Sequence, residues 1–254
     1  MDFTLSDEQK LLKNSVDRLI ADKYDLDVRR ALVSSEDGFG RENWQTFAEL
    51  GWLAIPFSEA DGGLGGGAVE IMVLMEAFGR GLVVEPFLST IRTGANFVEA
   101  LGDKEQKEAI LPSVIEGKKL LSFAHVEPQA RFTLSDIATN ATNDGSGYSI
   151  SGQKAVVFGG DSADQFIVSA RVSGEQRDEK GISLFLIDTD TKGLTRRSYQ
   201  TVDGLRAADV SLKDVRVSPQ ALLGTTGDAF TTIETVIDRA TAAVCAEAVG
   251  AMAA

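Results

Sequence analysis

Apolar residues recur at helical spacing from Leu12 to Val98 and then change to short blocks. Leu12, Val16, Leu19 and Ile20 fall at i, i+4, i+7 and i+8, one face of a helix. Ser6 and Gln9 mark its start, a pair in which each side chain caps the other's backbone. A second helix carries Trp44, Phe47 and Leu50 and stops at Gly51; a third covers 69–78. A fourth shows Leu88, Ile91, Ala95 and Val98 before Gly102. Asp103 with Gln106 repeats the cap and opens a helix that closes at Gly117 and is kinked by Pro112.

From Lys118 the period changes. Segments 121–126, 148–150, 155–158, 166–170 and 182–187 are short, rich in β-branched and aromatic residues, and separated by turn chemistry such as Asn143-Asp144-Gly145. They predict a β-domain, a sandwich or barrel, reaching about Val217. Strands gathered after helices, rather than alternating with them, argue against a doubly wound parallel sheet. After Leu223-Gly224 the chain turns helical again from about Asp228, and 242–254 holds little that is polar beyond Glu247. A helix without a polar face predicts the start of a helical domain whose remainder is absent, or a helix covered by a partner.

Composition narrows the function. The chain has 254 residues, 43% hydrophobic, with 25 Lys and Arg against 38 Asp and Glu for a net charge of -13. That charge repels a phosphate backbone and anionic lipid, and the basic residues are scattered, so neither nucleic acid nor membrane is an expected partner. A single cysteine, Cys245, allows no internal disulfide, and a single histidine, His125, argues against a histidine-based zinc cluster. With no basic and apolar leader and no spanning apolar window, the expected location is cytoplasmic.

Local chemistry is sparse. The glycine run 61–67 has a helical region before it and no Lys-Ser/Thr after it, so it reads as a loop needing positive φ rather than a phosphate cradle. His125 has no matched nucleophile and reads as a packed residue, and Cys245 reads as core. Glu127, before Pro128, and Glu247, alone on an apolar helix, are the carboxylates in unusual settings.

Taken in order, several segments resemble the acyl-CoA dehydrogenases. Phe3-Thr4-Leu5-Ser6-Asp7-Glu8-Gln9 is similar to that family's first helix, and Pro56-Phe57-Ser58-Glu59-Ala60-Asp61-Gly62-Gly63-Leu64-Gly65 to its glycine-rich loop. Gln106, Leu111-Pro112, Gly117 and Glu127-Pro128 resemble its helix-to-barrel junction, and Gly152-Gln153-Lys154 the strand that leads to the flavin. Gly204-Leu205-Arg206, Asp214-Val215-Arg216-Val217, Pro219 and Leu223-Gly224 resemble the end of the barrel. The resemblance implies an all-α N-terminal domain (1–117), a β-barrel middle domain (118–224) and the first helix of an otherwise absent C-terminal bundle (225–254). It further implies FAD between barrel and bundle, an acyl-CoA substrate desaturated to a trans-2-enoyl-CoA, and an electron-transfer flavoprotein as acceptor.

Site residues carry over unevenly. The family's first flavin segment reads aromatic-x-x-Thr-Glu-Pro followed by Gly-Ser-Asp; here Phe123, His125, Val126, Leu134 and Ser135 occupy it, with valine in place of threonine and leucine in place of glycine. Its second segment, Trp-Ile-Thr, is replaced by Val156-Val157-Phe158. Ser135 is also a candidate substrate contact. On the last helix, Thr241 stands where the family often places an arginine for the CoA phosphate. Arg239 is the neighbouring guanidinium and the substrate-binding candidate, roughly 200° around the helix. The resemblance places the catalytic glutamate beyond Ala254 or, in a minority of members, at about Ala240, so no catalytic residue is assigned. Scaffold motifs kept with flavin contacts replaced resemble the small subunit of a heteromeric acyl-CoA dehydrogenase acting on dicarboxylyl-CoA, such as pimeloyl-CoA, or on steroid side chains. The alternatives are a fragment of a homotetrameric dehydrogenase and a non-catalytic two-domain scaffold that self-associates.

Overall fold

The computed structural model describes residues 4–254; Phe3, the first residue of the motif read as the family's first helix, lies outside the described residues. Helix α1 (Asp7–Lys23) starts as the sequence predicts, with Ser6 Oγ accepting from the Gln9 N–H at 3.2 Å and Gln9 Oε1 accepting from the Ser6 N–H at 2.9 Å. Helix α2 (Leu26–Ser34) has no apolar period to announce it, because none of its residues is fully buried; the Asp25 carboxylate caps its Asp27 and Val28 N–H groups. Helix α3 (Arg41–Glu49) turns Trp44 and Phe47 inward, whereas Leu50 lies just past the helix and is exposed. At the centre of this layer the Phe47 ring lies 5.0 Å from Trp52 and 5.1 Å from Phe78. The Glu85 carboxylate takes the Tyr24 hydroxyl and the Gly40 N–H, joining the end of α1 to the start of α3.

The glycine-rich loop is a backbone device, as its composition predicts. A Cβ on Gly63 would sit 2.1 Å from the Phe57 carbonyl oxygen, so no other residue fits there. Helix α4 (Ala68–Gly81) follows it. The expected fourth helix is wider than an α-helix over Phe87–Ala95, with π-type turns, before it continues as α5 (Asn96–Leu101). Helix α6 (Lys104–Ile115) begins at the Asp103 and Gln106 cap, contains Pro112, and is followed by Gly117 at φ +73°. Gln106 Nε2 also donates to the Gln220 and Leu222 carbonyls at 2.8 and 2.9 Å, so the cap fastens α6 to the sheet.

Eight strands form one curved, barrel-like sheet: β1 (Leu121–Ala124), β2 (Asn140–Asn143), β3 (Tyr148–Phe158), β4 (Gln165–Arg171), β5 (Ile182–Asp188), β6 (Leu194–Gln200), β7 (Arg206–Val217) and β8 (Leu222–Leu223). Their order is β6-β7-β3-β2-β4-β5-β8, with β1 parallel to β4. Past the end of β1, the Val126 carbonyl accepts from the Ala155 N–H at 2.8 Å, which brings the β1 side of the sheet round to β3. Segments 148–150 and 155–158, separate in the sequence pattern, are the two ends of β3. Strands β4 and β5 are buried on both faces, against helices on one side and the sheet interior on the other, which is why they read as unbroken apolar runs. Strand β6 gave no apolar signal because only Leu194 is buried on this sheet-edge strand.

Helix α7 (Phe230–Met252) lies across α4 and buries Ile233, Val236, Ala240, Ala243, Ala246 and Gly250 along one face. The two backbones nearly touch: a Cβ on Gly79 would lie 1.9 Å from the Glu247 carbonyl oxygen, and one on Gly250 would lie 1.9 Å from that of Glu76. No described helix is long and apolar enough to cross a membrane. Gly79→Ala is expected to destabilise the protein by about 1–3 kcal/mol in urea unfolding, because the strain of separating α4 from α7 exceeds alanine's helical preference.

Candidate functional site

Below the β3 end of the sheet lies a buried ion pair that sequence reasoning half saw. It singled out Glu127 as unusual and named Lys154 only within the Gly152-Gln153-Lys154 strand motif, not as Glu127's partner. Lys154 Nζ donates to Glu127 Oε1 at 2.7 Å and to Ser169 Oγ at 3.0 Å, and both charged side chains are almost wholly excluded from solvent. The carboxylate also accepts the Ala138 and Thr139 N–H groups at 2.8 and 3.1 Å. Burial alone would raise the Glu127 pKa, yet the ammonium and these hydrogen bonds hold it below its ordinary value; burial pushes Lys154 down.

His125 belongs to the same network. Ser169 accepts from Lys154, so its hydroxyl proton is free to donate to His125 Nδ1, 3.1 Å away, and the ring carries its own proton on Nε2. A backbone hydrogen bond to Leu134 engages that ring, which also stacks on Phe123 with centroids 5.0 Å apart. Burial, with Lys154's charge, lowers the His125 pKa to about 3, so the imidazole is neutral. The packed reading of His125 describes its setting. It holds Phe123 and Leu134 in place and turns no nitrogen to solvent.

Above this network the surface is hydrocarbon. Val126, Val156 and Phe158 are 39, 39 and 51% exposed, and the Val126–Ala155 hydrogen bond sets Val126 beside the strand that carries the other two. Val156 is the outward residue of a bulge between Lys154 and Val157, and its φ of +52° is a strained conformation for a β-branched side chain. Asp209 fixes it, with Oδ1 accepting the Val156 N–H at 3.3 Å and the Tyr199 hydroxyl at 3.0 Å, while Arg197 binds Oδ2 at 2.7 Å. Val157, expected at the same surface, is corrected: the bulge turns its side chain into the sheet core, where it is 1% exposed. Leu134 and Ser135 are half-buried on the neighbouring loop, whose path is set by Arg171 donating to the Ser135 and Ile137 carbonyls at 2.9 and 3.2 Å.

Arg239 does not join this surface. It lines a cleft of about 520 Å³ between the glycine-rich loop, Arg92 and α7. Cys245, expected in the core, is exposed, because it lies on the α7 face turned away from α4. Glu247 is half-buried, and burial, with the charge of Asp203, raises its pKa.

The chain matches the acyl-CoA dehydrogenase N-terminal domain over residues 6–118 and the acyl-CoA dehydrogenase middle domain over residues 122–215. It is 30% identical to "Probable acyl-CoA dehydrogenase YngJ" of Bacillus subtilis (strain 168), over 98% of this chain and 67% of that protein. Among solved structures, the Tcur3481-Tcur3483 steroid ACAD superposes with a TM-score of 0.86 at 26% identity, over 99% of this chain and 66% of the other. The ChsE4-ChsE5 complex from Mycobacterium tuberculosis does so with a TM-score of 0.83 at 26% identity, over 94 and 62%. The chain belongs to the acyl-CoA dehydrogenase family, and it spans about two thirds of the length of these relatives.

Breaking the buried pair from one side leaves an unpaired charge without water. Lys154→Met is therefore expected to cost about 3–5 kcal/mol in urea unfolding, and Lys154→Met with Glu127→Leu to recover a large part of it. The His125 pKa is below its unfolded value of 6.5, so the unfolded chain binds more protons between 6.5 and about 3. Stability is thus expected to fall as pH drops through that window, with the loss of Glu127's contribution adding below its ordinary range. His125→Asn, followed by thermal melts from pH 7 to 4, should flatten the upper part of that decline.

Proposed function

We propose that this chain is a subunit of an FAD-dependent acyl-CoA dehydrogenase, and that a second dehydrogenase-like chain completes its flavin site. The observation that carries the reading is the hydrocarbon surface of Val126, Val156 and Phe158 at the positions where the family resemblance puts the isoalloxazine. Bound FAD would supply hydride acceptance from the β-carbon of an acyl-CoA, giving a trans-2-enoyl-CoA, with an electron-transfer flavoprotein as the onward acceptor.

The residues present fit only part of that cofactor. Hydrocarbon can lie against an aromatic face by dispersion, but none of the three side chains has a group to hydrogen-bond the ring's polar edge. Of the adjacent main chain, the Val156 N–H is committed to Asp209 and the Ala155 N–H to Val126. Polar edge groups left unpaired weaken binding, so a partner's donors are needed. Two further surfaces suit such a partner. Phe132, at the tip of the lengthened loop, is 99% exposed, and α7 presents Val244, Val249 and Met252 to solvent. The solved relatives that are complexes of two differently named chains support the same reading.

Co-expression with a second acyl-CoA dehydrogenase-like polypeptide should yield a mixed complex carrying the flavin absorbance band, while the chain purified alone should lack it. A homogeneous preparation with one FAD per chain and acyl-CoA turnover would reject the proposal. Val126→Thr combined with Phe158→Thr should raise FAD retention by the isolated chain, each regained hydrogen bond contributing about 0.5–1.5 kcal/mol, read by equilibrium dialysis.

A further inference from the structure

We infer that the cleft between the glycine-rich loop and α7 is an anion-binding site, in which Arg92 and Arg239 together receive the carboxylate or phosphate group of a small molecule with an apolar body. The site shares no residue with the flavin surface, and the inference does not rest on the proposed dehydrogenase role. Its basis is a pair of positive charges opposed in the cleft wall by a single carboxylate, Glu99, in a chain of net charge -13.

Arg92 is 7% exposed, and its buried Nε has no hydrogen-bond partner. The guanidinium makes one long bond, Nη1 to Asn96 Oδ1 at 3.3 Å, and no ion pair with any described carboxylate. Burial and the nearby charge of Arg239 push its pKa down against the smaller opposing pull of the Glu99 carboxylate, so the two arginines repel each other across the cleft. Arg239 itself makes no hydrogen bond or ion pair with any described residue. Glu99, the one carboxylate in the wall, has Oε1 occupied by the Ser58 N–H at 3.0 Å. A buried guanidinium with only one long hydrogen bond is costly, and an anion bound to its Nη groups would reduce that cost.

The rest of the wall suits such a ligand. Helix α4 starts at Ala68 in this cleft, its first turn capped by the Glu70 carboxylate, which accepts the Gly67 N–H at 2.7 Å, so the anion-binding capacity of the wall lies in the two guanidinium groups. Phe57 and Ile71 form an apolar side, and 520 Å³ exceeds what an inorganic ion fills. The arrangement therefore favours a charged head on a short hydrocarbon body.

Isothermal titration calorimetry of this chain with inorganic phosphate and, separately, with hexanoate tests the assignment. Saturable binding, weakened about tenfold or more in both Arg92→Gln and Arg239→Gln, is expected. Tighter hexanoate would identify a carboxylate ligand, and tighter phosphate a phosphate ester. Arg239 is exposed on α7, so its variant separates lost binding from lost folding, and circular dichroism checks Arg92→Gln. No saturable binding of either anion, or affinity unchanged in the Arg239 variant, would overturn the inference.

Discussion

The ion pair between Glu127 and Lys154 is the interaction on which the candidate site depends. Glu127 leads the long loop back to the sheet by holding the Ala138 and Thr139 N–H groups, and Lys154 comes from β3 immediately before the bulge. Their contact fixes where the loop leaves the end of β1 and where β3 bends outward. Ser169 then passes the connection to His125, whose ring supports Phe123 and Leu134. Such a pair contributes little net stability, since desolvation offsets attraction, but either half alone is strongly unfavourable. It therefore specifies one geometry for the segments beneath the exposed surface.

That surface combines strain with a lack of polar groups. Val156 holds a conformation that suits glycine, and the Arg197, Tyr199 and Asp209 cluster keeps it there. The result is hydrocarbon held rigidly outward, suited to contact with a flat ring or another protein and unsuited to hydrogen bonding. An enzyme-family scaffold and an apolar outer surface are thus compatible in one chain, because the sheet is stabilised from within and does not depend on what its outer side chains meet.

Helix α7 shows a similar division between its two faces. Glycines at 79 and 250 let it meet α4 at backbone contact, so the inward face is specified by shape. The outward face leaves Val244, Cys245 and Val249 exposed. Arg239 lies near the middle of this helix and lines the cleft with Arg92, so a single helix borders both an apolar surface and a concentration of positive charge.

Much of this was legible in the sequence where the cause is local. The caps at Ser6 and Asp103, the glycine loop, the helical face from Leu12 to Ile20 and the doubly buried strands each leave a pattern within a few residues. Helix α2 and strand β6 were not legible, since neither buries an apolar stripe. The bulge that turns Val157 inward and Val156 outward was hidden too, because only pairing with β7 reveals the extra residue. Residue types and their order alone determined the helix-then-sheet plan, the acidic charge, the family and the hydrocarbon side chains at 126, 156 and 158. Tertiary structure alone decided that Lys154 meets Glu127 and that Arg92 faces Arg239. Those contacts join residues far apart in the chain, and burial, which gives an unpaired charge its energetic weight, exists only once the layers have packed.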